Sequence, residues 1–328
     1  MSDIEMPKLG MSEKQILDLC SDNNNHPIFR GAPYWTAEIY SLGKHIRKYA
    51  FYPKLLPLAI YTDHGPGQIV DHPFKHELET DAPTMFYHSI ESVKIWKKFS
   101  NKPCYTIYSP FVYYRRKNNI KKIEGAKGTI AFPTHSTADI DDLSDMKKYI
   151  DDLKSLPEKF QPVSVCLHIT DIKKGHYNIF MENGIPVFTV GGNNGKFAER
   201  FYNIIKNFSY VTSNLVGSSL YYAVEMGTPF FIYGDKPLFF NKGDVNMPSG
   251  EYDFYDGHKH YQNVHRTFSG LDCEMTDEKI KIVEHDLGLD AGLSRGHMSA
   301  ILYLSLIKWI FSLASLRWIR RSISRIKK

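Results

Sequence analysis

Apolar and polar positions along this chain fall into blocks that read as strand, helix, strand. Ser12–Ser21 has the spacing of a short helix, and Thr36–Tyr52 that of a longer one. Leu55–Tyr61 is a short apolar strand running into Thr62-Asp63-His64-Gly65-Pro66-Gly67. Pro83–His88 and Lys102–Ser109 read as further strands, with the helix Ile90–Ser100 between them. Strands separated by helices predict parallel pairing. Arg115–Lys127 is polar, basic and aperiodic, and reads as a linker.

After the linker the alternation restarts. Strands are expected at Gly128–Phe132, Val163–His168, Ile185–Val190, Tyr210–Thr212 and Phe230–Tyr233. The helices Asp142–Leu156, Asp171–Asn183, Phe197–Phe208 and Ser218–Met226 connect them. Gly227 closes the last of these, and Pro229 blocks its extension. Five strands joined by helices predict a doubly wound sheet. Lys236–Met275 has weak periodicity and reads as a loop-rich wrap, followed by a helix at Thr276–Leu287. The predicted fold class is therefore α/β, with two Rossmann-like domains, residues 1–120 and 128–290. A tail, residues 296–328, reads as an amphipathic basic helix.

Charge changes the picture only at that tail. The net charge of the 328-residue chain is +5. Met298–Lys328 carries Lys308, Arg317, Arg320, Arg321, Arg325, Lys327 and Lys328 with no acidic residue, which leaves the body at −2. A body of that charge offers no nucleic-acid surface. The tail's apolar run is interrupted by Lys308 and is shorter than the roughly 20 residues a span needs. Its tryptophans and cations suit an anionic membrane surface, with packing on the body as the other reading. The four cysteines are far apart, so neither a disulfide framework nor a zinc signature is expected. The N-terminus lacks the apolar segment of a signal peptide, and a cytoplasmic site on the inner membrane face is expected.

Candidate chemistry sits at strand ends. Ser213–Gly217 is a turn of small polar residues leading into the Ser218–Met226 helix. Hydroxyls there meet the positive end of a helix dipole, where a phosphate can be held without a metal. Gly191, Gly192 and Asn193 follow another strand of the same predicted sheet, and His135 lies in the first strand–helix loop. In the N-terminal half, His64 beside Asp63 has the chemistry to take a hydroxyl proton near neutral pH. Asp139-Ile140-Asp141 matches a metal-binding DxD in form, but it is expected at a helix N-terminus, where acids are favoured anyway. No metal site and no cofactor are expected.

Two blocks together, Thr129–Thr137 (TIAFPTHST) and Tyr210–Gly234 (YVTSNLVGSSLYYAVEMGTPFFIYG), resemble the nucleotide-binding half of GT-B-fold glycosyltransferases. The likeness is to bacterial cell-envelope enzymes, including the CDP-glycerol glycerophosphotransferases of teichoic acid synthesis. The chain also resembles transferases of O-antigen and capsule gene clusters. It departs where Ser213-Asn214 stands in place of the family's Asp in the Ser-rich turn. The Gly-Thr-Arg-Pro-Glu block with which sugar-nucleotide 2-epimerases of this fold open is absent. The resemblance implies a nucleotide-sugar donor held by His135, Ser213, Gly217, Ser218, Ser219 and Glu225, with Gly191, Gly192 and Asn193 near base or ribose. It implies an acceptor activated by His64 and Asp63, the acceptor being a lipid-linked or polymeric saccharide. Two other readings stay open: an epimerase or hydrolase of the same fold, and a non-catalytic membrane-bound partner of an assembly complex.

Overall fold

The computed structural model describes residues 10–21, 33–63, 65–66, 72–254, 258–312 and 316. They fall into two compact units. One is drawn from Asn24–Lys117, Asn193–Ala198 and Glu284–Lys328, the other from Met1–Asn23, Asn118–Gly192 and Glu199–Val283.

The first unit is built on three parallel strands in sequence order: β1 (Tyr61–Thr62), β2 (Met85–Tyr87) and β3 (Cys104–Thr106). All three are buried on both faces apart from Tyr105, as expected of parallel strands covered by helices. The helix Ile90–Phe99 makes the crossover from β2 to β3, capped by the Ser89 hydroxyl on the Glu91 amide (3.1 Å). Its Trp96 is fully buried and donates to the Lys102 carbonyl (3.0 Å).

The single helix expected over Thr36–Tyr52 is broken. Two 3₁₀ turns, Trp35–Ala37 and Ile39–Ser41, precede the helix Leu42–Ala50. Tyr40 and Ser41 have left-handed backbones, at φ 49° and 64°. Distant residues hold them there. Asn193 Oδ1 accepts the Tyr40 amide (2.5 Å), and Ser41 Oγ accepts the Ala198 amide (3.3 Å). Local spacing contains no trace of those partners.

The chain returns to this unit at its C-terminal end. Gly288, at φ +64°, lies so close to the His88 and Ile107 carbonyls that any side chain would collide with them. The helix Arg295–Ile310 then buries Met298, Leu302, Ser305, Leu306 and Trp309. Ser305 shares a hydrogen bond with Thr84 (2.7 Å), and Arg295 donates to the Tyr49 carbonyl (2.7 Å). The first part of the basic tail is thus a packed helix. Residues 317–328, which hold most of its charge, lie outside the described residues. No helix among the described residues is long and apolar enough to cross a membrane.

The second unit contains five parallel strands: β4 (Thr129–Ala131), β6 (Val163–Cys166), β7 (Val187–Phe188), β8 (Tyr210–Ser213) and β9 (Phe230–Ile232). Their order is β7-β6-β4-β8-β9. From β4 the chain winds outward to β7, then crosses back to β8 and β9 on the other side. This is the doubly wound arrangement the alternation predicts, and the order reverses between β4 and β8. Asp171–Asn183 is two helices, Ile169–Lys173 and Tyr177–Glu182, with Gly175 at φ +78° between them. A second, antiparallel sheet was not foreseen: β5 (Ile140–Asp142), β10 (Phe239–Asn241) and β11 (Gly250–Tyr252), in the order β11-β10-β5. The DxD stretch therefore lies on a strand, and the helix begins later, at Met146, capped by Asp145. Its strand partner is about a hundred residues away in sequence, so period alone could not reveal it.

A bidentate, buried ion pair in the first unit joins Arg47 and Glu38. Arg47 donates to both carboxylate oxygens (2.8 and 2.5 Å), and each side chain is 2% exposed. Gly43 leaves the space that the Glu38 carboxylate occupies. Glu38→Ala removes the anion from a buried guanidinium and is expected to cost about 3–5 kcal/mol, read from urea unfolding.

Candidate functional site

The strand-order reversal leaves the loops after β4 and β8 side by side. One side chain joins them. Asn214 Oδ1 accepts the Thr134 amide (2.9 Å), and its Nδ2 donates to Thr134 Oγ1 (3.2 Å). Thr134 Oγ1 in turn donates to Asp142 (2.5 Å). The amide side chain uses its donor and its acceptor at once, which a carboxylate could not do. This Asn is the second residue of the Ser213-Asn214 pair in the turn after β8.

The two loops it joins carry five of the residues marked from sequence: His135, Ser213, Gly217, Ser218 and Ser219. Ser213 is buried, and its hydroxyl accepts the Leu215 amide (3.2 Å), so it shapes the turn. Gly217 is the N-cap of Ser218–Glu225, with extended backbone and no side-chain cap. Ser218 is exposed and Ser219 half-buried. The first-turn N–H groups therefore have no capping side chain, and the dipole's positive end faces outward with two hydroxyls beside it. Glu225 is at the other end of that helix, about 10 Å from Ser218 along the axis. It has interactions of its own.

His135 stacks on a residue that sequence reading passed over. Its ring lies 3.9 Å from that of His168, at 19° between planes. His135 Nδ1 is 2.9 Å from the Ser136 carbonyl, which only accepts, so that nitrogen carries the proton. His168 Nδ1 accepts the Thr170 amide (3.3 Å), so its proton is on Nε2. Burial, and then His135, pulls the His168 imidazolium down to about 3, which keeps His168 a neutral N–H donor. Close by, burial pushes the Asp171 carboxyl up to about 6 against the pull of His135. His168 follows β6, the neighbour of β4, but which strands are neighbours was not legible from spacing.

The remaining marked residues of this half are committed to the protein itself. Gly191, at φ +78°, lies against the Leu19 carbonyl, which accepts the Gly192 amide at 3.4 Å. Asn193 holds Tyr40, as described. In the DxD stretch, Asp141 pairs with Lys242 (3.0 Å) and Lys174 (3.3 Å), and the Lys242 hydrogen bond holds its carboxyl below the usual range. Among the described residues no group of three His, Cys, Asp or Glu is placed to hold a metal ion.

In the three-stranded unit, Asp63 follows β1 and has a partner other than the one its sequence neighbour suggests. Its Oδ1 lies 2.6 Å from His88 Nδ1, and its Oδ2 accepts the His88 amide (3.0 Å). Both groups are buried. His64 lies outside the described residues. His88 follows β2, next to β1, so the parallel register delivers it.

Beside this pair is a small recess with room for about one water, lined among others by Asp63, His72, Phe74, Glu77, Tyr87 and Ser92. Glu77 is buried and accepts the Phe74 amide (2.9 Å). Burial, opposed by that amide and assisted by Asp63, raises its carboxyl to about 7. The Tyr87 hydroxyl is close enough to affect Glu77 but makes no hydrogen bond of acceptable geometry. Between the ordinary value of 4.5 and about 7, the folded protein holds a proton that the unfolded chain has released. Stability on this account falls as pH rises through that window. Glu77→Gln keeps the amide's acceptor and removes the penalty. Relative to wild type, the variant should gain on the order of 2–3 kcal/mol between pH 4.5 and pH 8, checked by denaturant unfolding at both pH values.

No family model matches the chain, and no curated protein matches it either. Among solved structures, the chain has weak similarity to the following. The wall teichoic acid polymerase TagF is 11% identical with a TM-score of 0.40, over 76% of this chain and 69% of that one. A UDP-GlcNAc 2-epimerase from Neisseria meningitidis bound to UDP-GlcNAc is 11% identical with a TM-score of 0.36, over 83% and 81%. S. aureus MnaA with UDP is 10% identical with a TM-score of 0.35, over 83% and 81%. Likeness at this level says nothing of activity. The α/β class stands on the strand order itself: two units, each with a parallel sheet, the larger one doubly wound.

Proposed function

We propose that this chain is a glycosyltransferase that moves a sugar from a nucleotide-activated donor to a lipid-linked or polysaccharide acceptor. The process would be the synthesis of a bacterial surface polysaccharide of O-antigen or capsule type. The observation that carries the reading is the Asn214 clamp at the strand-order reversal. It holds the His135 loop next to the uncapped start of the Ser218–Glu225 helix. Ligands of open α/β sheets bind at such a reversal, and helix N-termini take anions.

In this reading the first-turn amides, Ser218 and Ser219 grip the donor phosphate. The neutral His168 adds an N–H donor where negative charge develops on the leaving phosphate, and His135, stacked on it, holds that ring in place. Ser213 and Asn214 shape the turn. His64 is assigned the acceptor proton, while Asp63 holds His88. Dipole and imidazole donors serve in place of a divalent ion.

Thermal unfolding with UDP, CMP, CDP, GDP and dTDP tests this. A nucleotide at about 100 times its Kd should add roughly 2.7 kcal/mol to the folded state. The shift should shrink in Ser218→Ala and His135→Ala. Absence of a shift with every nucleotide would sink the reading in favour of a non-catalytic role.

The membrane reading rests on the outer face of Arg295–Ile310. Leu304, Ile307 and Ile310 are 57, 51 and 51% exposed there, and Phe311 just beyond is 87% exposed. The sequence that follows adds six of the tail's seven cations. An apolar face with cations suits the anionic inner leaflet of a cytoplasmic membrane. The protein should sediment with vesicles containing phosphatidylglycerol, and not with neutral ones. Leu304→Asp with Ile307→Asp should weaken this about tenfold or more, and equal binding to neutral vesicles would contradict it.

A further inference from the structure

The three most exposed large apolar side chains among the described residues are Phe311, Leu55 and Phe51, at 87, 86 and 74%. All three belong to the three-stranded unit. Phe311 ends the C-terminal helix. Phe51 and Leu55 stand on the turn after the helix Leu42–Ala50, far from the tail in sequence and without a role so far. Two ring contacts hold that turn to the outer side of Arg295–Ile310. The Arg295 guanidinium lies 3.8 Å from the centre of the Phe51 ring, and the Tyr52 and Tyr303 rings meet at 5.0 Å. Tyr303 is itself exposed, one residue before Leu304.

The turn is pinned at its ends and presents its tips to water. The Tyr52 amide donates to the Arg47 carbonyl (2.9 Å), and the Tyr52 hydroxyl to the Pro57 carbonyl (3.0 Å). Arg47 Nη2 donates to the Leu56 carbonyl (3.1 Å). Phe51 has a left-handed backbone, φ 53°, at a helix end where glycine or asparagine is the ordinary residue. A bulky apolar residue that bears this backbone cost and still lies in water breaks a local rule of folding, as functional positions do. Apolar tips held out on a rigid turn gain by entering an apolar phase.

Charge selects that phase. Leu42–Ile60 carries Lys44, Arg47, Lys48 and Lys54, Tyr105–Lys117 carries Arg115, Arg116 and Lys117, and Gly292–Phe311 carries Arg295 and Lys308. None of the three stretches contains Asp or Glu. They pack together: the Tyr113 hydroxyl donates to the Lys48 carbonyl (3.3 Å), and Arg295 to the Tyr49 carbonyl (2.7 Å). Arg47 is committed to Glu38, whereas Lys48, Lys54, Arg116, Lys117 and Lys308 are exposed. A nucleic acid would meet the cations but leave the aliphatic tips in water, since its bases stack on aromatic rings. A bilayer with anionic headgroups takes both, the tips among its acyl chains and the cations among its phosphates.

We propose that the Phe51–Leu55 turn is a second, folded membrane contact. Phe51 and Leu55 enter an anionic lipid surface beside the outer face of Arg295–Ile310, with Lys48 and Lys54 at headgroup level. The proposal rests on the membrane reading above and goes beyond it, because the body itself touches lipid. Contacts from two elements fix the orientation of this unit on the surface, where one helix alone would leave it free to roll.

Sedimentation of the full chain with phosphatidylcholine vesicles, with and without phosphatidylglycerol, tests this. Phe51→Gly with Leu55→Ser should lower affinity for the anionic vesicles about tenfold. Lys54→Glu should lower it about fivefold. Melting temperatures should stay close to wild type, because Phe51→Gly relieves the backbone as it gives up the Arg295 contact. Should the double variant melt lower, Leu55→Ser alone carries the test, with a drop of about threefold. A nitrobenzoxadiazole dye on Leu55→Cys, read against the labelled wild-type chain, should shift to the blue on anionic vesicles and not on neutral ones. Binding that the turn substitutions leave unchanged, or a dye that stays in water, overturns the proposal and leaves the tail reading standing. Binding lost in the turn variants but kept in Leu304→Asp with Ile307→Asp removes the helix reading and leaves the turn as the contact. A wild-type chain that binds no anionic vesicle overturns both. So does a dimer in sedimentation equilibrium that Leu55→Ser dissociates without changing vesicle binding overturn the turn's role, because its partner would then be a second copy.

Discussion

The larger unit depends on how two strands part company. β4 and β8 pair up to Ala131 and Thr212, and the Phe132 amide still reaches the Thr212 carbonyl at 2.8 Å. Beyond that point the two chains leave the ladder. Backbone groups leaving a ladder while still buried need other partners. Asn214 meets that need for Thr134, and through Thr134 it fixes Asp142 and the start of the small antiparallel sheet. One amide thus positions the His135 loop, the serine turn and the strand that displaced the expected helix start.

The smaller unit is organised by buried charge. Arg47 and Glu38 complement each other, as do Asp63 and His88, and both pairs are almost fully buried. Such pairs add little net stability over apolar packing, but they permit only one arrangement of the elements that carry them. Glu77 is the exception. It is buried with one amide donor and no cation, and its raised proton affinity follows.

The C-terminal helix shows how one element serves two surroundings. Met298, Leu302, Leu306 and Trp309 recur at helical spacing and are buried, while Leu304, Ile307 and Ile310 recur on the opposite side and are exposed. Composition alone shows an apolar run and cannot divide it into an inner and an outer face. The division follows from the contacts with Thr84 and Tyr49, which set the helix's rotation.

Sequence by itself determined the alternation of strands and helices, the parallel class, and the glycine and proline punctuation around Ser218–Met226. These are local properties: period, β-branched runs and backbone freedom act within a few residues. It also marked His135, Ser218 and Ser219, because strand ends and helix starts are local features. Strand order, the Asn214 clamp, the His135–His168 stack and the Asp63–His88 pair were decided by tertiary structure alone. Each joins residues separated by 25 or more positions. Their partners are chosen by which strands become neighbours, and that choice minimises exposed apolar surface over the whole unit rather than over any one stretch.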